Sequence, residues 1–75
     1  MIVDLAGVDS IDTSGLGELV MTQRWAEAYG YVLKFASPQK AVRYLFEMTD
    51  LLSVIDVYAS VPDAMAAMGR EAQSA

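Results

Sequence analysis

The sequence predicts an α/β protein whose parallel sheet is built from alternating strands and helices. Three short β-rich segments alternate with three longer segments whose apolar residues recur at helical spacing. Strands that alternate with helices are joined by crossover connections, which make neighbouring strands parallel. Right-handed crossovers between successive strands would place the helices mainly on one face of the sheet. We therefore expect one domain, residues 1–75, with the order β-α-β-α-β-α.

The three predicted strands are short and rich in β-branched or aromatic residues. The first covers residues 1–6 and ends at Gly7, and the second covers residues 31–35 after the turn residue Gly30. The third covers residues 54–58. Three short strands make a small sheet for a free domain, so we expect marginal stability alone or support from a partner surface.

Each predicted helix has a start signal or an apolar stripe. The first covers residues 14–29, and the second begins at Ser37, an N-cap followed by Pro38 at the first helical position. The third begins at Ser60, with Asp63 at capping-box spacing. The expected buried faces are Leu16, Leu19, Val20, Gln23 and Ala26 in the first helix, Ala41, Val42, Leu45, Met48 and Thr49 in the second, and Val61, Ala64, Met65 and Met68 in the third.

The composition excludes several classes of function. Apolar residues make up 55% of the chain, which is too much for a disordered tail, and the longest unbroken apolar run is only residues 64–68, too short for a membrane span. The chain has no cysteine and no histidine, so disulfides, thiolate chemistry, the usual zinc sites and Ser-His or Cys-His catalytic pairs are excluded. A net charge of −5 would repel the phosphates of nucleic acid. We expect a cytoplasmic protein without membrane insertion, metal or cofactor.

The segment most informative about function is residues 8–17, where the first strand passes into the first helix. It lies at the carboxyl end of a strand, where α/β sheets usually place their sites. Thr13 and Ser14 are hydroxyls at a helix start, where free N–H groups and the helix dipole favour added negative charge. Asp12 either fixes the loop by an Asx-type bond or assists a proton that leaves the neighbouring hydroxyl.

Two glycines complete this segment, and each of its residues also has an ordinary structural interpretation. Gly15 and Gly17 would let the backbone of a partner come close. A hydroxyl before a helix is most often an N-cap, and an Asp is most often a turn former. A dinucleotide loop would need a third glycine at Val20, a P-loop would need a lysine, and a nucleophilic Ser14 would need a histidine. A fragment of a nucleotide-binding enzyme is therefore the weakest interpretation.

The run Asp-Thr-Ser-Gly-Leu-Gly of residues 12–17, after an apolar strand, resembles the signature of STAS domains, the sulfate-transporter and anti-sigma-factor-antagonist family. The likeness extends along essentially the whole chain, through residues 3–8, 41–46, 49–51 and 57–60. It implies a STAS-like (β-α) superhelix. Two features depart from the family. A whole domain of this family has a further strand-strand-helix unit before this point, which we expect this chain to lack, and Asp50 stands where many members have glycine.

The resemblance implies a phosphorylation switch without enzyme activity. In anti-sigma factor antagonists, a kinase-type anti-sigma factor phosphorylates the hydroxyl directly after the motif Asp, and the phosphate breaks the complex that frees the sigma factor. By position that hydroxyl is Thr13 here, with Ser14 as the second choice. The alternative is an accessory subunit that docks on the ATPase of a lipid-type ABC transporter. Those sequences resemble Asp-Thr-Gly-Gly more often, so Ser14 favours the switch.

The first helix also carries a second apolar stripe, on the side opposite its expected buried face. Met21, Trp25, Ala28 and Tyr29 fall opposite the buried face at 100° per residue. Either a neighbouring helix of the domain covers this stripe, or it is an interface for self-association or for the anti-sigma factor. The residues expected to bind the partner are Asp12, Ser14, Gly15, Gly17, Met21 and Trp25.

Overall fold

Three parallel strands alternate with three helices along the chain, which confirms the predicted α/β architecture. The computed structural model describes the backbone of residues 1–74 and the side chains of residues 1–70. The strands form a single sheet in the order β1-β2-β3. Its elements are β1 (Ile2–Asp4), α1 (Thr13–Ala28), β2 (Lys34–Ala36), α2 (Lys40–Met48), a 3₁₀ turn (Leu51–Ser53), β3 (Val57–Tyr58) and α3 (Val61–Ser74).

One face of the sheet carries the hydrophobic core. Phe35 in the central strand β2 is in register with Val3 of β1 and Val57 of β3, so their side chains point to the same face. Side chains from α1 and α2 pack on this face, and two of the three helices therefore lie together, as expected. The buried cluster consists of Leu5, Ala26, Leu33, Phe35, Val42, Phe46, Leu51 and Ile55.

The other face of the sheet is covered by α3. Ala36 follows Phe35 in β2 and so points to the opposite face, where it is fully buried. α3 lies against all three strands, and its buried residues Ala64 and Ala67 are not members of the core cluster. Small alanine side chains on both sides let the helix approach the sheet closely.

The first two strands are shorter than predicted, and a local bond explains the late start of the second. The first strand is limited to Ile2–Asp4. The second begins at Lys34 and not at Tyr31, since the Tyr31 amide donates to the Ala26 carbonyl and closes the end of α1. Gly30 makes this turn with a φ of +76°.

The predicted start of the third strand at Val54 is wrong. The amides of Val54 and Ile55 both donate to the Leu51 carbonyl, as parts of the 3₁₀ turn, so they are not available to the sheet. β3 contains only Val57 and Tyr58. The turn itself follows Asp50, which has a left-handed φ of +59°.

The predicted start of the second helix is also wrong. Ser37 has a φ of +58°, and its amide donates to the Tyr58 carbonyl, so it prolongs the pairing between β2 and β3 and does not cap a helix. α2 begins at Lys40 after Gln39, whose side chain makes no capping bond. Instead, the side-chain amide of Gln39 donates a hydrogen bond from Nε2 to the Ala6 carbonyl, at 2.6 Å.

The predicted cap of the third helix and the predicted inner face of the first are confirmed, whereas the predicted buried faces of the second and third helices are partly wrong. The Ser60 hydroxyl accepts a bond from the Asp63 amide at 3.2 Å, as the capping-box spacing predicts. The expected face of α1 is buried or half-buried. In α2 and α3 the buried face differs from the predicted one. Phe46 and Ala67 are buried although they were not predicted to be. The expected core positions that are exposed are Ala41, Met48, Thr49 and Met65. Among the described residues, no helix combines the length and the apolar character that a membrane crossing requires.

Candidate functional site

The loop between β1 and α1 is fastened to the core at both ends. Leu5 is buried, and its amide donates to the Ala36 carbonyl at the end of β2. The Val8 amide donates back to the Leu5 carbonyl, and the side chains of Val8 and Ile11 pack against the core cluster. These contacts hold the start of α1 at the carboxyl end of β1, where the sequence placed the site.

Asp12 is the N-cap of α1. Its backbone is extended, its Oδ1 accepts a bond from the Gly15 amide at 2.8 Å, and its carbonyl accepts from the Leu16 amide at 3.0 Å. This geometry fits the loop-fixing interpretation of Asp12. Within residues 1–70, the amides of Thr13 and Ser14 have no bonding partner, so two N–H groups stay available at the helix start.

The two candidate hydroxyls are accessible. Thr13 and Ser14 are the first two residues of α1, and both are exposed. In the part of the chain with described side chains, neither hydroxyl makes a hydrogen bond. An enzyme could therefore reach either oxygen without opening the fold.

The two glycines of the motif occupy different surroundings. A Cβ added at Gly15 would lie 2.7 Å from Ile11 Cγ2 and 3.4 Å from Asp12 Oδ1, which is a steric clash with the loop. A Cβ added at Gly17 would meet nothing within 4 Å. Gly15 is thus required for packing inside the domain, whereas Gly17 leaves open space above α1.

Three acidic residues lie close to the hydroxyls in the sequence. Asp9, Asp12 and Glu18 are all exposed near the start of α1, and the first basic residue along the chain is Arg24. A negative group added at Thr13 would meet the favourable dipole end of the helix and, at the same time, several carboxylates. Such a group would change the charge that this surface presents to a partner.

The second apolar stripe of α1 is exposed. Met21 is 71% exposed, Trp25 50% and Tyr29 68%, so no neighbouring helix of the described chain covers them. The Trp25 ring stacks on the Tyr31 ring, with ring centroids 5.3 Å apart and planes 6° from parallel. The centroid of the Tyr29 ring also lies 5.3 Å from that of Trp25. Tyr31 was not among the predicted site residues, because its sequence context is typical of a strand. Gly30 is the sequence feature that could have indicated this contact, because it turns the chain back toward the helix.

Three of the candidate residues lie on one outward face of α1. Ser14, Met21 and Trp25 are spaced seven and four residues apart, so they share the outward face of α1. At 1.5 Å per residue, Ser14 and Trp25 are roughly 16 Å apart along the axis. Two shallow grooves on the described surface lie elsewhere, on both sides of Arg43 in α2, with volumes of about 280 and 290 Å³. This arrangement suits contact with another protein.

Comparison with known proteins assigns the family. The STAS domain profile matches residues 1–64. Among solved structures, a candidate anti-sigma factor antagonist from Thermotoga maritima is similar, with a TM-score of 0.82 and 26% sequence identity. The match covers 87% of this chain and 56% of that one, so this chain spans little more than half of the length of that protein. No curated protein matches the sequence. The profile match covers well over half of the chain, and the protein therefore belongs to the STAS domain family.

Proposed function

We propose that the protein is an anti-sigma factor antagonist, which binds a kinase-type anti-sigma factor through the exposed face of α1 and is released by phosphorylation of Thr13. The observation that carries this proposal is the accessible Thr13 hydroxyl, directly after the capping Asp12 at the start of a helix. Family membership and the likeness to the Thermotoga protein support it. The protein would act in the cytoplasm as a regulator of transcription and would catalyse no reaction itself.

The binding surface would extend from the motif to the aromatic residues at the end of α1. Gly17 leaves room for the partner's backbone, and Met21 and Trp25 offer exposed apolar area on the same helix. Tryptophan is enriched among the residues that contribute most to binding, and methionine is enriched at interfaces generally. The predicted contacts with Asp12 and Ser14 would lie at the other end of this face.

The proposed switch depends on charge and bulk and requires no change of fold. A phosphate adds about −1.5 to −2 charges at neutral pH. Thr13 is exposed and its hydroxyl has no bonding partner among the described residues, so its modification breaks no internal contact. The Asp12 cap would remain, because its Oδ1 bonds the Gly15 amide and not Thr13. A partner fitted against this helix start would then lose contact and meet added negative charge.

Mass spectrometry after incubation with ATP and an anti-sigma factor kinase from the same organism tests the proposal. We expect one phosphate, located on Thr13. Ser14→Ala should still accept phosphate on Thr13, whereas Thr13→Ala should accept none. Phosphorylation of Ser14 or of another residue, or no phosphorylation at all, contradicts the proposed switch. Co-purification with a transporter ATPase in place of an anti-sigma factor would support the accessory-subunit alternative.

A further inference from the structure

We propose that Glu18 and Arg24 fix the orientation in which the anti-sigma factor docks on α1, by meeting one basic and one acidic side chain of that partner. This inference rests on the proposed function, because it concerns the same face of α1. It adds two residues that the candidate site does not contain, and it states the chemistry of the surface that covers them. That surface would be an apolar patch between a positive and a negative group.

Glu18 and Arg24 lie symmetrically on the two sides of Met21. Glu18 precedes Met21 by three residues, and Arg24 follows it by three. At 100° per residue, the two charged side chains lie about 60° to either side of Met21 and about 4.5 Å from it along the axis. Met21 is 71% exposed, and both charged residues are exposed as well. A partner that packs on Met21 therefore also covers part of both charged side chains.

Neither charge has a bonding role inside the described part of the chain. Within residues 1–70, the Glu18 carboxylate and the Arg24 guanidinium make no hydrogen bond or ion pair. They are six residues apart, whereas side chains on a helix pair at a spacing of three or four. They also lie outside the first and last turns of α1, where charges interact with the helix dipole.

The free energy of covering these charges determines what the partner has to provide. A charged group that loses water without gaining an opposite charge destabilises a complex, and two like charges in contact do so as well. At the edge of an interface, an opposite charge selects the partner and its orientation more than it adds affinity. Because the sign differs on the two sides of Met21, a partner docked in the reverse direction would bring like charges together.

This arrangement is compatible with the proposed switch at Thr13. Glu18 follows Thr13 by five residues, so the two side chains are about 140° apart around the helix axis. A basic group of the partner that meets Glu18 would therefore not face a phosphate on Thr13 and would not neutralise it.

An exchange of the two charges tests the inference without a change in net charge. The double variant Glu18→Arg/Arg24→Glu should bind the anti-sigma factor about tenfold more weakly or worse, because each side of Met21 then meets a like charge. The matched control is Arg43→Glu/Glu47→Arg, which exchanges an exposed ion pair on α2. It should bind within about twofold of the unmodified chain, and all variants should keep the same circular dichroism spectrum.

A neutral variant provides a second measurement that does not depend on repulsion. Glu18→Gln/Arg24→Gln also keeps the net charge, and it should bind a few-fold more weakly through slower association. This difference should disappear near 1 M salt, where the screening length is about 3 Å. A difference that is absent at low salt, or that is the same at all salt concentrations, overturns the inference.

The same measurements separate this inference from the proposed function. If the unmodified chain binds and the exchanged variant on α1 binds equally well, the inference is overturned and the proposed function stands. Equal losses in the exchanged variants of α1 and α2 overturn it too, because the effect would not belong to the α1 face. If the unmodified chain does not bind the anti-sigma factor, the proposed function fails and this inference fails with it.

Discussion

At the scale of single residues, the site depends on a loop that packs against its own helix start. Asp12 could be assigned from the sequence, because an acidic residue before a helix is a common N-cap and its bond to the Gly15 amide is local. The requirement for glycine at position 15 could not be predicted from the sequence, because it depends on the distance between an added Cβ and Ile11 Cγ2. That distance depends on how the loop folds back. From the sequence alone, both glycines were therefore predicted to make room for a partner's backbone.

The two glycines should respond in opposite directions to substitution by alanine. Gly17→Ala should raise the free energy of unfolding by roughly 1 kcal/mol, because alanine favours the helix and the position is open. Gly15→Ala should lower it by about 1–3 kcal/mol, because the added methyl overlaps Ile11. Urea denaturation followed by circular dichroism measures both values.

A double-mutant cycle identifies the cause of the loss at Gly15. Ile11→Ala removes the methyl group that clashes, so Gly15→Ala should be less destabilising in that background. Equal losses in both backgrounds would show that the contact with Ile11 is not responsible.

At the scale of elements, periodicity was sufficient to identify the three strands and three α-helices of the described chain, but not all of their boundaries. The third strand starts late because the amides of Val54 and Ile55 bond the Leu51 carbonyl. The second helix starts late because Ser37 is left-handed and still pairs with β3. Both boundaries follow from tertiary or turn bonds that a sequence pattern does not contain. The departure from glycine at Asp50 was visible in the sequence, and its φ of +59° explains why glycine suits the position.

Substitutions at Asp50 should separate backbone strain from side-chain contacts. Asp50→Gly should raise the free energy of unfolding by about 0.5 kcal/mol, since relief of left-handed strain exceeds the added flexibility of the unfolded chain. Asp50→Ala should lower it by a similar amount, because alanine tolerates this φ less well than aspartate. Thermal unfolding of the two variants measures the difference. If both variants are destabilised equally, the contact between the carboxylate and Ser53 is the main contribution of Asp50.

At the scale of the whole molecule, the order of elements gave the parallel sheet, but it did not show how the two faces are divided. α3 lies on the face of Ala36 because alanines at 64 and 67 allow close approach, and this becomes clear only when the register of β2 is known. The aromatic contacts of Trp25 with Tyr29 and Tyr31 likewise require the turn at Gly30 to be placed. The motif hydroxyls and the exposed apolar residues lie along one helix, which gives the molecule its candidate binding face.

The only tryptophan of the chain, Trp25, provides a direct signal for that face. In the free protein its fluorescence should be accessible to a polar quencher, because half of the side chain is exposed. Addition of the anti-sigma factor, in a form without tryptophan, should shift the emission to the blue and reduce quenching. If the emission spectrum does not change on complex formation, Trp25 does not lie in the interface.

The affinity of Thr13 variants for the anti-sigma factor tests the central claim most directly. Thr13→Glu adds a negative charge at the helix start, and Thr13→Gln is the matched control with nearly the same shape and no charge. Calorimetry should show that Thr13→Gln binds within a few-fold of the unmodified protein. Thr13→Glu should bind at least tenfold more weakly, a loss of about 1.4 kcal/mol, with an unchanged circular dichroism spectrum. Equal affinity of the two variants would contradict a switch based on charge at Thr13.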